Sequence, residues 1–365
     1  MRKLNPDNEM AKRAYLAWLE HAKGRNEATA DQAIAAINAF EAFNRFKSFK
    51  TFRREQAISF KAHLIDQRNG ATGKPLAKAT LHSRLRALQG FFEWLAREPG
   101  YRKALVYSDA AYFGLTANDT RIATARRESR SPSLQEVTRV LEHMPTETLV
   151  QRRDRAVIAF TILTGARDRA IATMRLKHVD PERGLVHQDA REVGTKRAKT
   201  FTSCFLTVGE LPAEIVRAWI AELKESEGFS ADDPLFPACR VSPDINGAFS
   251  SSGLLREHWK TAAPIRAIFQ KAFPAAGVPY YPPHSLRKTL GHLMYELDLS
   301  IIEMKAWSQS LGHDSALTTL TSYGELSLSE QSRVLAGISP ARRNRPAAGA
   351  LMDEIQSVLA RHLKA

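Results

Sequence analysis

Four short stretches hold the side chains best suited to chemistry. TGARDRAIATMRL carries Arg167, VGTKRAKTF carries Lys196 and Lys199, PPHSLRKTLGH carries His284 and Arg287, and LGHDSALTTLTSYGEL carries His313 and Tyr323. Two arginines, a lysine, two histidines and a tyrosine suit attack on a phosphodiester. That attack builds a pentavalent state with extra charge on the equatorial oxygens. Planar guanidinium groups meet such oxygens with paired hydrogen bonds. A tyrosine can act as nucleophile and hold the phosphate covalently. Its phenol has a reference pKa of about 10, so it needs a base or strong stabilisation of the developing charge. A histidine can take the proton. The departing 5′ oxygen needs an acid, and a hairpin lysine whose pKa is lowered by neighbouring arginines can supply one. Electrostatic positioning of this kind calls for no metal.

Taken singly, each residue has a plainer reading. Arg167 could cap a helix or pair with Asp168, Lys196 could be a solvated turn lysine, and Tyr323 is one of 8 tyrosines and could simply pack. His284 and Arg287 say more together, because a three-residue spacing puts both on one helix face, and Pro282-Pro283 would fix the helix start. Order and combination carry the weight.

These residues need elements to position them. The region 7–112 reads as helical, with helices near 31–46, 54–66 and 78–97 separated by Asn69-Gly70, Gly73-Lys74-Pro75 and Pro99-Gly100. In the third helix Leu81, Leu85, Leu88, Phe92 and Leu95 form an apolar stripe, and Thr80, Ser83, Arg84 and Arg86 fall mostly off it. The run FNRFKSFKTFRR sets Phe43, Phe46, Phe49 and Phe52 among basic residues. Bases could stack on such rings, but the spacing fits a buried helix face better. The segment 117–132 is polar, basic and poor in apolar residues, as an inter-domain linker is. Beyond it come a helix in LQEVTRVLEHM, a second over 152–163 ending at Thr164-Gly165, and a third following directly. Two or three short strands are expected over 184–208, with Lys196 at their turn, and helices resume at Pro212. The stretch 238–273 is long and polar, and an amphipathic helix closes the chain after ARRNRP.

At 365 residues, with 44% hydrophobic residues, the chain has material for two cored domains. A net charge of +14 points to nucleic acid, an acidic membrane surface or an acidic protein as partner. Roughly +11 of that charge lies in the first 131 residues, as in a DNA-gripping module joined to something else. No apolar run is long enough to span a bilayer, and the polar start MRKLNPDNEMAKR lacks a signal-peptide core, so no membrane is expected. The two cysteines, Cys204 and Cys239, suggest neither a disulfide framework nor a metal cluster. The expected location is cytoplasmic, in the reducing compartment that holds DNA, in association with the nucleoid.

In their order, the four stretches resemble the catalytic domain of the tyrosine recombinases, the phage-integrase family of lambda, Cre and Xer type. TGARDRAIATMRLKHVD resembles the first arginine motif, VGTKRAKTF the β-hairpin lysine region, PHSLRKT the His-x-x-Arg motif, and LGHDSALTTLTSY the Leu-Gly-His segment with its tyrosine. The match runs over 134–335. LAKATLHSRLRALQGFFEWL resembles, less specifically, the last long helix of the family's core-binding domain.

The resemblance implies a mainly α fold with a small β-sheet. It divides the chain into a helical core-binding domain over 1–116, a basic linker over 117–132, a mixed α+β catalytic domain over 133–340 and a tail with an amphipathic helix over 341–365. It implies that Arg167 and Arg287 clamp the scissile phosphate and that Lys196 is the general acid, with Lys199 in reserve. His284 assists proton transfer as base, His313 hydrogen-bonds the phosphate, and Tyr323 forms a 3′-phosphotyrosine and releases a 5′ hydroxyl. Thr80, Ser83, Arg84, Arg86 and Lys199 would contact DNA. The implied partners are double-stranded recombination sites and further copies of the chain, a homotetramer on DNA, with room for accessory DNA-bending proteins.

Three departures stand out. Arg169-Ala170-Ile171 follows Arg167 where the family often has Glu, Lys288 replaces a common histidine, and the interval from His313 to Tyr323 is one residue longer than usual. Integration, excision and resolution of DNA all fit the set. So does a relaxing enzyme with the same chemistry. The reading of a different class is a non-catalytic DNA-binding regulator with a recombinase-like fold.

Overall fold

The computed structural model describes residues 4–24, 27–68, 70, 73–125, 130–243, 249–297 and 299–313. Tyr323 and the 341–365 tail lie outside the described residues. The chain divides into two compact units, Met1–Arg127 and Glu128–Ala365.

The first unit is helical: α1 (Pro6–Ala17), running into a π-helical turn, then α2 (Glu27–Phe43), α3 (Arg54–Asp66), α4 (Lys78–Leu95) and α5 (Ala117–Thr124). The stripe expected on α4 is buried, and Phe91 and Trp94 join it. Around it gathers an aromatic core. Phe52 stacks on Phe92 at 4.0 Å between ring centres, and Phe40 meets Phe60, Phe92 and Phe113 edge-on. Each such ring buried contributes about 1.5–3 kcal/mol.

Phe49 and Phe52 are thus core residues, as expected, but no single helix carries the run from Phe43 to Phe52. The chain leaves α2 at Phe43, and Arg45 and Phe46 both take positive φ, so the rings reach the core from a turn. Asn8, fully buried, holds that turn by accepting from Phe49 N–H at 2.9 Å and donating to the Lys47 carbonyl at 3.0 Å.

The segment expected to be a linker carries α5 over its first half. Thr116 accepts from Asp119 N–H at the helix start, and Asp119 pairs with Lys78 at 3.1 Å. Buried Ala123 supplies the little apolar anchoring that composition hides.

The second unit contains α6 (Leu134–His143), α7 (Leu149–Thr164), α8 (Asp168–Thr173), β1 (Val179–Asp180), β2 (Leu185–Gln188), β3 (Phe201–Cys204), α9 (Glu210–Glu225), β4 (Cys239–Pro243), β5 (Phe249–Leu254), α10 (Ala263–Ala275), α11 (Pro283–Glu296) and α12 (Ile301–Ser310). Reciprocal Ser/Thr-to-Glu/Gln capping starts α6, α7 and α12, at Ser133, Thr148 and Ser300. From Ala156 to Thr164, α7 is buried on every face. Its two core threonines satisfy their hydroxyls on the carbonyls of Val157 and Phe160, as burial demands.

Antiparallel β1, β2 and β3 form one sheet in that order, with Val186 opposite Ser203 and His187 opposite Thr202. A second hairpin, β4–β5, interrupts the stretch expected to be long and polar. Helices with small antiparallel sheets form the architecture expected from the sequence.

Candidate active site

Arg287 organises the site. It sits at the fifth position of α11, buried to 2% exposure. A buried guanidinium must spend its N–H groups on acceptors. Nη1 donates to the carbonyl of Gly165, and Nη2 donates to the carbonyl of Leu311 at 2.6 Å and to His313 Nε2 at 3.1 Å. One side chain therefore joins the end of α7, the end of α12 and the start of α11. Because guanidinium nitrogens only donate, His313 accepts at Nε2 and carries its proton on Nδ1.

The backbone at Gly165 allows this grip. Gly165 caps α7 in the left-handed region at φ 61°. A β-carbon there would fall 2.5 Å from Leu311 Cδ2 and 3.1 Å from Leu290 Cδ1. Both the conformation and the approach require glycine.

Two residues later Arg167 stands in extended conformation at the N-cap of α8, half-buried. It occupies the capping position but makes no side-chain capping hydrogen bond there. The Asp168 carboxylate accepts from Arg266 of α10 at 2.8 and 3.0 Å.

His284, at the second position of α11, keeps one side open to solvent. Partial desolvation, then the charges of Arg287, Arg167 and Lys288, push its pKa below the usual imidazole value, and Asp168 pulls weakly the other way. His284 thus lies within electrostatic reach of both Arg167 and Arg287. A lowered pKa favours the neutral form of the imidazole.

The hairpin lysines differ. Lys196 is exposed, in a 3-10 turn over Lys196–Ala198. Lys199 is half-buried and donates from Nζ to the Gly312 carbonyl at 3.3 Å, beside His313. The hairpin is held there by two further contacts: Cys204 N–H donates to Ser310 Oγ at 3.2 Å, and Phe201 packs against Gly312. Of the two lysines, the structure brings Lys199 to the Arg287–His313 cluster. Tyr323 lies outside the described residues.

On α4, Thr80, Ser83 and Arg86 are exposed and Arg84 is half-buried, on the side away from the core stripe. Among the described residues no three His, Cys, Asp or Glu side chains gather as metal ligands, and no helix is long and apolar enough to cross a membrane.

Sequence reasoning missed the Phe201–Gly312 contact and the Asp168–Arg266 pair. Neither leaves a local signal, because both join residues distant in the chain. Gly165 was visible as a helix end, but its role under Arg287 was not.

A family model described as the phage integrase family matches residues 133–329, more than half of the chain. The chain belongs to the phage integrase family. The stretch matched contains Arg167, the lysine hairpin, His284, Arg287, His313 and Tyr323 in order. Membership puts the protein among the site-specific DNA recombinases.

Solved structures agree on the fold. A lambda integrase dimer bound to a COC′ core site aligns with TM-score 0.56 at 15% identity, covering 87% of this chain and 95% of that one. XerH recombinase in a post-cleavage complex with palindromic difH aligns with TM-score 0.55 at 17% identity, covering 87% and 81%. The Tn1549 transposon integrase with a circular-intermediate DNA aligns with TM-score 0.51 at 14% identity, covering 90% and 99%. These likenesses establish this phage integrase family member as having the tyrosine-recombinase fold. A comparison with curated proteins finds no match.

Proposed function

We propose that this recombinase cuts and rejoins double-stranded DNA through a 3′-phosphotyrosine at Tyr323, without a metal or nucleotide cofactor. The observation that carries the reading is the buried Arg287, fixed on the carbonyls of Gly165 and Leu311 and on His313, with His284, its pKa lowered by burial and neighbouring cations, on the same helix. Preorganised positive charge around a neutral base suits a reaction that builds charge on phosphate oxygens.

In the proposed step, Tyr323 Oη attacks the scissile phosphorus and passes its proton to His284. Arg167 and Arg287 hold the equatorial oxygens, and His313, with its ring proton moved from Nδ1 to Nε2, donates to one of them once phosphate takes its place beside Arg287. The P–O5′ bond breaks, and a hairpin lysine protonates the departing 5′ oxygen. Position in the family motif favours Lys196 for that role, whereas contact with Gly312 favours Lys199. A 5′ hydroxyl from a second strand then attacks the phosphotyrosine and restores Tyr323. One phosphate ester replaces another at each step, so no external energy is needed.

The first unit is proposed to be the core-binding domain, with Thr80, Ser83, Arg84 and Arg86 of α4 toward DNA and Lys199 adding a contact from the hairpin. The working assembly is proposed to be a tetramer on two sites. The test is a nicked suicide duplex that traps the covalent adduct. Wild type is expected to accumulate adduct, and Tyr323→Phe none. Adduct formation by Tyr323→Phe would overturn the nucleophile. DNA binding without adduct in wild type would favour the non-catalytic regulator.

A further inference from the structure

The lysine hairpin is anchored at its base by residues to which the motifs assign no role. We propose that His178 is a positioning residue for this hairpin, holding Glu192 and through it the origin of the 194–199 arm that carries Lys196 and Lys199. The proposal rests on the reading of a hairpin lysine as proton donor.

His178 closes the 3-10 turn Leu176–His178 between α8 and β1 and is buried to 4% exposure. A buried imidazole needs a partner at each nitrogen. Nδ1 accepts the Arg175 N–H at 3.0 Å, so the ring proton lies on Nε2. Nε2 therefore donates to Glu192 Oε2, 2.7 Å away. Glu192 Oε1 accepts from Lys177 Nζ at 2.8 Å, and Lys177 also pairs with Asp232 at 2.9 Å. The bonds from Lys177 and His178 hold the Glu192 carboxyl below the ordinary range, so it stays ionised.

Three consecutive residues are thereby fixed. Glu192 is held through its side chain. Val193 is buried and donates its N–H to the Asp189 carbonyl at 2.7 Å. Gly194 N–H donates to Thr173 Oγ1 of α8 at 2.7 Å. Beyond them the chain runs through Thr195 and the turn Lys196–Ala198, with Ala198 at φ 51°, before Lys199 reaches Gly312. Lys196 itself is exposed, so the arm takes its position from its two ends. A misplacement of about 1 Å in a reacting group costs on the order of a hundredfold in rate. A buried, tautomer-defined histidine at the origin of the arm is a device for avoiding that.

A duplex whose scissile 5′-bridging oxygen is replaced by sulfur separates positioning of the acid from general stability. A thiolate, with a parent pKa of about 8.5, leaves without prior protonation, so Tyr323 attack breaks the P–S bond with no proton from lysine. His178→Leu and Glu192→Ala are expected to lower adduct formation at least about tenfold on the oxygen duplex and to return to within about threefold of wild type on the sulfur duplex. His178→Gln, which keeps an N–H near the Nε2 position, is expected to fall between. Equal loss on both duplexes, or no loss on the oxygen duplex, would overturn the proposal. Glu192 is exposed, so Glu192→Ala carries the test if the His178 variants do not fold. Lys196→Ala and Lys199→Ala are run alongside. If neither is rescued by sulfur, the proton-donor reading fails and takes this proposal with it. If one is rescued and the His178 and Glu192 variants are not, only the positioning role fails.

Discussion

Phe201 packs so closely on Gly312 that a β-carbon at Gly312 would lie 2.5 Å from Phe201 Cζ. Gly312 also holds φ at 70°. This contact joins the lysine hairpin to the segment that presents His313. Gly312→Ala is expected to destabilise the protein by about 1–3 kcal/mol and to lower adduct formation at least about tenfold. Adding Phe201→Leu should restore part of the activity by clearing the clash, while the backbone strain remains. Urea unfolding and the suicide duplex measure the two effects. A fully active Gly312→Ala would mean that the contact does not position the hairpin.

Arg287→Lys should fail despite keeping the charge. An ammonium on a shorter reach cannot serve the Gly165 carbonyl, the Leu311 carbonyl and His313 together. Adduct formation is expected to fall by a factor of about 100–1000, the scale set by removing one transition-state donor. Stability should fall as well, because buried carbonyls lose their partner. Single-turnover cleavage beside an unfolding curve separates these, and near-wild-type cleavage by Arg287→Lys would remove bidentate phosphate binding from the mechanism.

The pH behaviour of His284 follows from the direction of its shift. Desolvation and the neighbouring cations lower its folded pKa, so the folded protein still offers a neutral ring when an ordinary imidazole, at about 6.5, is half protonated. On acidification the unfolded chain binds this proton first. The group therefore destabilises the fold as pH drops below the unfolded value, and has no such effect above it. A proton NMR titration of DNA-free protein should place the His284 midpoint below about 6.5. Arg167→Ala should move the midpoint upward. A midpoint unmoved by Arg167→Ala would place that arginine away from the base.

DNA binding through α4 has a salt signature. Removing one cation that neutralises a phosphate should reduce the slope of log K against log salt by about 0.9. Arg86, exposed on α4, is the cleanest variant, because Arg84 is half-buried and its removal would disturb packing. Arg86→Ala is expected to weaken binding on specific and random duplexes alike and to flatten the slope. An unchanged slope would take Arg86 off the phosphate backbone.

Much of this architecture could be read from the chain. Helical periodicity located α3 and α4 nearly to the residue, since Leu81, Leu85 and Leu88 repeat at core spacing and Gly-Pro clusters bound them. The Pro282-Pro283 start of α11 and the His284–Arg287 spacing stood equally clear. What escaped was decided at a distance. The turn after α2 looked like more helix because its phenylalanines keep helical spacing, and the side chains of Asn5 and Asn8, at the start of α1, show what holds the bend there. The β4–β5 hairpin was hidden by polar composition. The choice between Lys196 and Lys199 needs Gly312, more than a hundred residues away.

Arg287 grips main-chain oxygens, which every amino acid possesses. Residue 311 contributes to the grip through its carbonyl, and its side chain answers only to the demand for buried volume. Strict identity is required instead at positions 165 and 312, where no side chain fits. Mutational drift can thus run freely through much of the surrounding chain while the reaction centre keeps its geometry. A survey of tolerated substitutions should find two narrow points, both glycine, beside a broad apolar allowance at 311.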